Sequence, residues 1–206
     1  LNNSELYNAL IRFGSCYPLQ LKQDTGNICD TLAEKYEWVK YNPRKNIDRD
    51  ALSITSLDGG MSGIPDLDSL IEYAKKTGEF VSEDRFNVKT EIYPYFKDWL
   101  DPLEKYLGRT HIIRLNTGGF FPSHRDCRHV HVDAFRLFLP MTYCSEQNYF
   151  MLEEKKLEFN QGQVFFIDTC KTHTVFNAST EPWYFVVMNV ALSRESVDKT
   201  LTMLYG

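Results

Sequence analysis

The chain has 206 residues, of which 43% are hydrophobic, 25% charged and 14% aromatic. That length and composition exclude a collagen-like repeat, a disordered acidic tail and a coiled-coil rod, and leave core enough to fold without disulfides or a structural metal. Its 23 basic residues are outnumbered by 28 acidic ones, for a net charge of −5, and no basic stripe appears, so nucleic acid is not an expected partner.

The opening residues carry neither a basic n-region nor an apolar h-region, so no secretory signal is expected. No apolar run nears the roughly 18 residues that span a membrane, and no membrane partner is expected. Residues 24–37 set Ile28, Leu32 and Tyr36 at helical spacing. Residues 51–57 read as a strand that ends at the turn Asp58-Gly59-Gly60. Residues 66–77 begin with an acidic turn and stop at Gly78, which predicts a helix. Residues 90–107 read as one or two helices bounded by Pro94 and Pro102.

Near residue 108 the character changes. Strands are predicted at 111–116, 130–140, 148–152, 157–160, 163–167, 173–177 and 183–192, with turns at 117–119, 153–156, 160–162 and 168–172. Many short strands with such turns predict a sandwich or barrel. The fold class expected is mainly β with N-terminal helices (α+β). No linker interrupts the chain, so residues 1–206 are read as a single domain: a helical or mixed buttress over 1–108 and a jelly-roll core over 109–192.

Five cysteines, widely spaced and with no C-x-x-C pair, suit a reduced, cytoplasmic setting. Cys127 and Cys170 lie near the histidines discussed next, but without paired spacing they are not read as a zinc site. No G-x-S-x-G, Walker loop or H-E-x-x-H occurs.

All five histidines fall between 111 and 173. Residues two apart on an extended segment point the same way, so His124 and Asp126 can share one ligand. His173 opens a later strand and can meet them across the sheet interior. Two histidines and one carboxylate on one face of a metal leave three positions open, which is the facial triad of non-haem Fe(II) oxygenases. A second H-x-D, His131-Val132-Asp133, competes with the first; the first is preferred because it follows Pro122-Ser123 at a strand end. The bland reading is a hydrogen-bonded His–Asp pair beside a surface histidine.

Three segments carry a family resemblance: R-L-N-T-G-G-F-F-P-S-H-R-D (114–126), F-R-L-F-L-P-M-T (135–142) and F-N-Q-G-Q-V-F-F-I-D-T-C-K-T-H-T-V-F-N (159–177). They resemble the 2-oxoglutarate/Fe(II)-dependent oxygenases of the aspartyl/asparaginyl β-hydroxylase group, which includes bacterial proline hydroxylases. The resemblance implies a double-stranded β-helix (jelly roll, cupin-like), with Fe(II) held by His124, Asp126 and His173. It implies 2-oxoglutarate and O₂ as co-substrates and hydroxylation of an amino acid, or of an amino-acid side chain in a peptide or protein, with release of succinate and CO₂. The retained Asp126 implies hydroxylation rather than halogenation.

Much of that family carries an arginine about ten residues after the last histidine, for the distal carboxylate of 2-oxoglutarate. Here Trp183 stands there. Arg136 is the expected replacement: in the R-L-F-L-P stretch it matches an arginine the resembled family also carries, and strand parity sets it among Val130, Val132, Ala134 and Phe138, so apolar a face that it calls for a counter-charge. Arg114 is the second candidate. The same parity turns His131 and Asp133 outward. Asn116 and Asn189 fall on strands, where each either lines the cavity or satisfies local backbone. Arg44, Arg49, Arg125 and Arg128 are candidates for a substrate carboxylate, with a solvated surface the preferred reading for each. Two other classes stay open: a cupin-type metal enzyme that does not use 2-oxoglutarate, and a non-catalytic jelly-roll binding module.

Overall fold

The computed structural model describes residues 2–42, 46–61, 70–127 and 132–204. In chain order, helix α1 (Asn3–Ile11) is followed by strand β1 (Cys16–Lys22), α2 (Ile28–Lys35), β2 (Val39–Lys40), β3 (Arg49–Ser53), β4 (Thr55–Ser56), α3 (Leu70–Thr77), β5 (Val88–Lys89) and α4 (Lys97–Leu100). Then come β6 (Leu107–Leu115), β7 (Phe120–His124), β8 (Ala134–Pro140), β9 (Asn148–Leu152), β10 (Lys155–Lys156), β11 (Gln163–Ile167), β12 (His173–Asn177), β13 (Trp183–Ala191) and α5 (Arg194–Leu201). No helix among the described residues is long and apolar enough to cross a membrane.

Strands β1-β11-β8-β13-β6-β3-β2 form an antiparallel seven-stranded sheet, and β10-β9-β12-β7 form a four-stranded one. Between them lies a core to which both contribute: Ile113, Phe138, Phe165 and Phe185 from the larger sheet, Phe150, Leu152 and Val175 from the smaller. The outer face of the larger sheet packs on the helices through Ile112, Leu137, Val186 and Met188, against Leu6, Leu10, Trp99 and Leu103. Alternate residues of each large-sheet strand therefore serve two different cores. Two facing antiparallel sheets of this kind are a double-stranded β-helix, the fold class expected.

The N-terminal part differs from the helical buttress expected, since it supplies three strands to the larger sheet. In β1, Tyr17, Leu19 and Leu21 alternate inward, and Pro18 is tolerated because the strand is at an edge. The strand predicted over 51–57 begins earlier, at Arg49, and divides after Ser53: β3 pairs with β6 and β4 with β5. Residues 90–107 form short 3₁₀ turns at the two prolines around α4, so no long helix develops there. The helix predicted over 24–37 is shorter, and the part of the 66–77 helix before residue 70 lies outside the described residues. The strand predicted over 157–160 is displaced to β10, which turns back on β9 through Glu153 in the left-handed region. Helices α1 and α5 were not predicted; each begins with a capping box, on Asn2/Glu5 and Ser193/Ser196. Strands 148–152, 163–167 and 173–177 stand as read.

Between β6 and β7 the chain reverses so tightly that a Cβ on Gly119 would lie 2.2 Å from the Asp48 carbonyl. Only glycine fits there. That turn passes the chain from β6 in the larger sheet to β7, which ends in His124 at the edge of the smaller one.

Candidate metal centre

His124 is the last residue of β7, and His173 is the first of β12, directly opposite it in the antiparallel register. The two rings lie 4.3 Å apart between centroids, and His173 also stacks on Phe150. Asp126 follows two residues after His124, and its backbone N–H donates to the Thr169 carbonyl at 3.0 Å, tying this segment to the turn before β12. One ligand atom from each of His124, Asp126 and His173 lies within 4.8 Å of the others.

The hydrogen bonds around the trio fix its chemistry. His124 Nδ1 sits 2.6 Å from the Pro122 carbonyl, and His173 Nδ1 sits 3.0 Å from the Lys171 carbonyl. A carbonyl only accepts, so each Nδ1 carries a proton, and each Nε2 offers its lone pair whenever the ring is neutral. Both Nε2 atoms face the same carboxylate oxygen, Asp126 Oδ1, at 3.3 and 3.9 Å. The other oxygen, Oδ2, is held by Arg136 Nε at 3.2 Å. Two imidazole lone pairs and one oriented carboxylate oxygen thus converge, with outer partners setting the direction of all three.

Charge balance agrees with this division. Burial pushes the Asp126 carboxyl up, but the Arg136 guanidinium and the two histidines outweigh it and hold the group well below the usual carboxylate range. Burial pulls His124 down, yet the Asp126 hydrogen bond and charge and the Pro122 carbonyl leave it raised. For His173 burial dominates and the imidazole is lowered.

The trio opens into a cavity of about 250 Å³ between the sheets. One wall is apolar, built from Phe121, Phe138, Phe150, Val175, Phe185 and Val187. Elsewhere Arg49, Arg109, His111, Arg136 and Asn189 face in. Arg109 is clamped by Glu83 through two hydrogen bonds of 2.9 Å, and Asn189 donates to the same carboxylate. His111 is buried, and burial with the Arg109 and Arg136 charges holds its imidazole well below its usual range, so the ring is neutral. Its Nδ1 and the Asn189 Oδ1 have no hydrogen-bond partner among the described residues.

The structure therefore brings His124, Asp126, His173 and Arg136 together. It does not bring Arg114: on β6 the odd-numbered Arg109, His111 and Ile113 face the cavity, while Arg114 points to the opposite side, pairs with Asp50 at 2.8 Å and stacks on Trp38. Arg136 reaches the cavity as parity predicts, but its counter-charge is Asp126 rather than an open position. Arg49 is buried in the cavity wall instead of solvated. Arg125 is exposed and bonds Thr172, and Asp133 is exposed. Asn189 lines the cavity; Asn116 bonds Asp48 and Asp50 outside it. Arg44, Arg128, His129 and His131 lie outside the described residues. Sequence reading passed over Arg109 and Tyr41; for Arg109 the period-2 spacing with His111 and Ile113 was the available signal.

The cysteines correct an expectation. Cys127 and Cys170, read as reduced thiols, form a disulfide across 43 residues, while Cys16, Cys29 and Cys144 are free. The Asp126–Thr169 backbone hydrogen bond makes the next residue on each segment a neighbour, with Cα atoms 4.9 Å apart. Closing a loop of 43 residues restricts the unfolded chain by about 4 kcal/mol in the chain-entropy model. Cys170→Ser should therefore lower unfolding stability by about 3–4 kcal/mol in non-reducing urea titrations. Equal stabilities of variant and parent without reductant would show that the bridge does not form.

Comparison with known proteins gives the following. A family model described as aspartyl/asparaginyl beta-hydroxylase matches residues 77–191, more than half of the chain. No curated protein matches the sequence. Among solved structures, an oxidoreductase of the 2OG-Fe(II) oxygenase family from Burkholderia pseudomallei superposes with a TM-score of 0.51 at 12% identity, covering 92% of this chain and 90% of its own. The viral collagen prolyl hydroxylase of Paramecium bursaria Chlorella virus-1, solved with 2OG, gives 0.44 at 11% identity over 87% and 95%. A cupin 2 conserved barrel domain protein from Salinispora arenicola gives 0.31 at 15% identity over 45% and 69%. The first of these shows the same fold across nearly the whole length of both chains.

Proposed function

Because the chain belongs to the aspartyl/asparaginyl β-hydroxylase family, we propose that it is an Fe(II)- and 2-oxoglutarate-dependent dioxygenase that hydroxylates an amino acid, or an amino-acid side chain in a peptide or protein. The observation that carries this reading is the convergence of the two Nε2 lone pairs on Asp126 Oδ1, with both Nδ1 protons committed to backbone carbonyls. That donor set fits Fe(II), and three ligands on one face suit a metal that keeps positions open for co-substrate and O₂. His124, Asp126 and His173 would hold the metal. Iron with bound 2-oxoglutarate supplies the oxidation: O₂ is consumed, the keto acid becomes succinate and CO₂, and the substrate gains a hydroxyl.

The chain's own residues prepare for this in three ways. The Pro122 and Lys171 carbonyls hold the imidazoles in the ligating tautomer before any metal arrives. Arg136 fixes the free oxygen of Asp126, so the carboxylate offers a single oxygen toward the histidines. The phenylalanine wall excludes water from the reaction face.

The test is anaerobic titration of Fe(II)-loaded protein with 2-oxoglutarate, following the visible charge-transfer band of the iron–keto acid chelate. The band should appear with the parent protein and be absent in His173→Ala. Iron bound tightly with no band on saturation would overturn the co-substrate and favour a cupin-type enzyme. No iron uptake at all would overturn the metal centre.

A further inference from the structure

Among the described residues three arginines face the cavity, and two of them meet a carboxylate. Arg109 is clamped by Glu83 and Arg136 is held against Asp126. Arg49 meets none among the described residues, although it is 2% exposed. Its Nη1 donates to the Phe120 carbonyl at 3.0 Å and its Nε to the Tyr41 carbonyl at 3.4 Å. The rings of Phe121 and Tyr41 cover the guanidinium at 4.1 and 5.3 Å. Carbonyls and ring faces satisfy hydrogens and part of the charge, but they leave a buried cation without a counter-ion. Among the described residues the cavity thus holds one arginine that no carboxylate pairs, and a divalent metal on the trio would add two more positive charges.

We propose that Arg49 is the anchor for the distal carboxylate of the keto-acid co-substrate, the end that does not reach the metal. The proposal rests on the function proposed above and assigns to this chain the cation that position 183 lacks. Strand register supports it. Trp183 on β13 and Arg49 on β3 both pair with Leu115 of β6, so the three stand in one row across the sheet. Trp183 is 1% exposed and packed into the inner core, together with Leu115. Arg49 therefore enters the cavity from the same end of the fold, two strands along. The Tyr41 ring that covers Arg49 also lies 5.1 Å from His111, whose buried, unpartnered Nδ1 faces the same cavity. The guanidinium donates, and so does the His111 Nδ1 when it carries the ring proton; a carboxylate in the cavity accepts from such groups. A dianionic keto acid would offset most of the charge that Arg49 and the metal introduce.

The proposal makes the site selective for a dicarboxylate, and binding tests it without turnover. Fe(II)-loaded protein is titrated anaerobically with 2-oxoglutarate and with 2-oxovalerate, which has the same chain length but lacks the distal carboxylate. The parent should bind 2-oxoglutarate tighter by on the order of 100-fold, as expected for a buried charge-assisted pair. Arg49→Gln should lose that preference, with 2-oxoglutarate falling to the affinity of 2-oxovalerate while iron uptake is kept. Arg49→Lys, which keeps the charge but not the fork, should fall between them. A preference that persists in Arg49→Gln but vanishes in Arg136→Gln would overturn the assignment and place the anchor at Arg136. A parent that binds both keto acids equally would overturn it even if no Arg49 variant folds. Each of these results leaves the metal and keto-acid reading intact; that reading fails only if the parent gives no band with either acid.

Discussion

Asp126→Ala is expected to lower coupled turnover of 2-oxoglutarate by more than about 100-fold, beyond the cost of losing an outer-shell partner. Three groups depend on this carboxylate. Its oxygens face both imidazole Nε2 atoms and neutralise Arg136, and on the proposed function it would supply one ligand oxygen. The variant also has a signature that needs no turnover. Burial acts to lower His124, and the hydrogen bond and charge of Asp126 are what keep it raised. In the metal-free variant the His124 imidazole should therefore titrate at lower pH than in the parent, which NMR of the ring protons reads directly. By the same sign, metal uptake by the parent protein should weaken as pH falls through the raised His124 range, because the proton then competes for Nε2. Undiminished coupled turnover in Asp126→Ala would remove the residue from the metal centre, whatever the imidazole does.

The second large effect concerns stability. Glu83→Ala should destabilise the fold by about 3–5 kcal/mol, a large share of the roughly 5–15 kcal/mol typical of a domain. The Arg109 and Glu83 side chains are only 12% and 20% exposed, and they meet through both oxygens of the carboxylate. Asn189 adds a third hydrogen bond to that carboxylate. Removing Glu83 takes from a desolvated guanidinium the carboxylate that meets it with both oxygens. The same reasoning predicts the remedy. Glu83→Leu combined with Arg109→Met removes both charges and should recover most of the loss, because replacing a whole buried pair costs far less than breaking it. Urea midpoints at unchanged m-value report the comparison. A single Glu83→Ala variant within about 0.5 kcal/mol of the parent would mean the pair behaves as a surface bridge.

The grouping of His124, Asp126 and His173 was legible because its evidence is local. His124 and Asp126 are two apart, and a period-2 argument needs only that the segment be extended. His173 opened a strand that reads cleanly from its own alternation. The aromatic, β-branched strands of the second half were legible for the same reason. What failed was pairing at a distance. Parity turned Arg136 inward but could not say that the charge it meets is Asp126, ten residues back in the chain. Cys127 and Cys170 carry no spacing signal, since a backbone hydrogen bond between their neighbours is what brings them together. With the strand read from Ala51, Arg49 falls outside it and counts as solvated surface, which hides that Arg49 and Ala51 share a buried face. The prolines misled in both directions. Pro18 and Pro122 sit inside strands that were not read, while Pro94 and Pro102 bound turns where longer helices were expected.

The row of strands that carries Arg49 also decides how the larger sheet ends. The family match begins at residue 77, after β1, β2 and β3 have already been laid down. Take those three away and the sheet would stop at β11 on one side and at β6 on the other. Strand β6 is nine residues long and rich in Ile and Leu, and its exposed rim of backbone donors and acceptors would template pairing with another copy. As built, the rim on that side is the two-residue β2 with Lys40 facing out, and on the other it is β1, interrupted by Pro18 and bridged at Leu19 to Leu204. Short, charged and proline-bearing margins resist self-association. The N-terminal strands thus keep the sheet from polymerising, and a fragment cut to the matched span would aggregate before its chemistry could be measured.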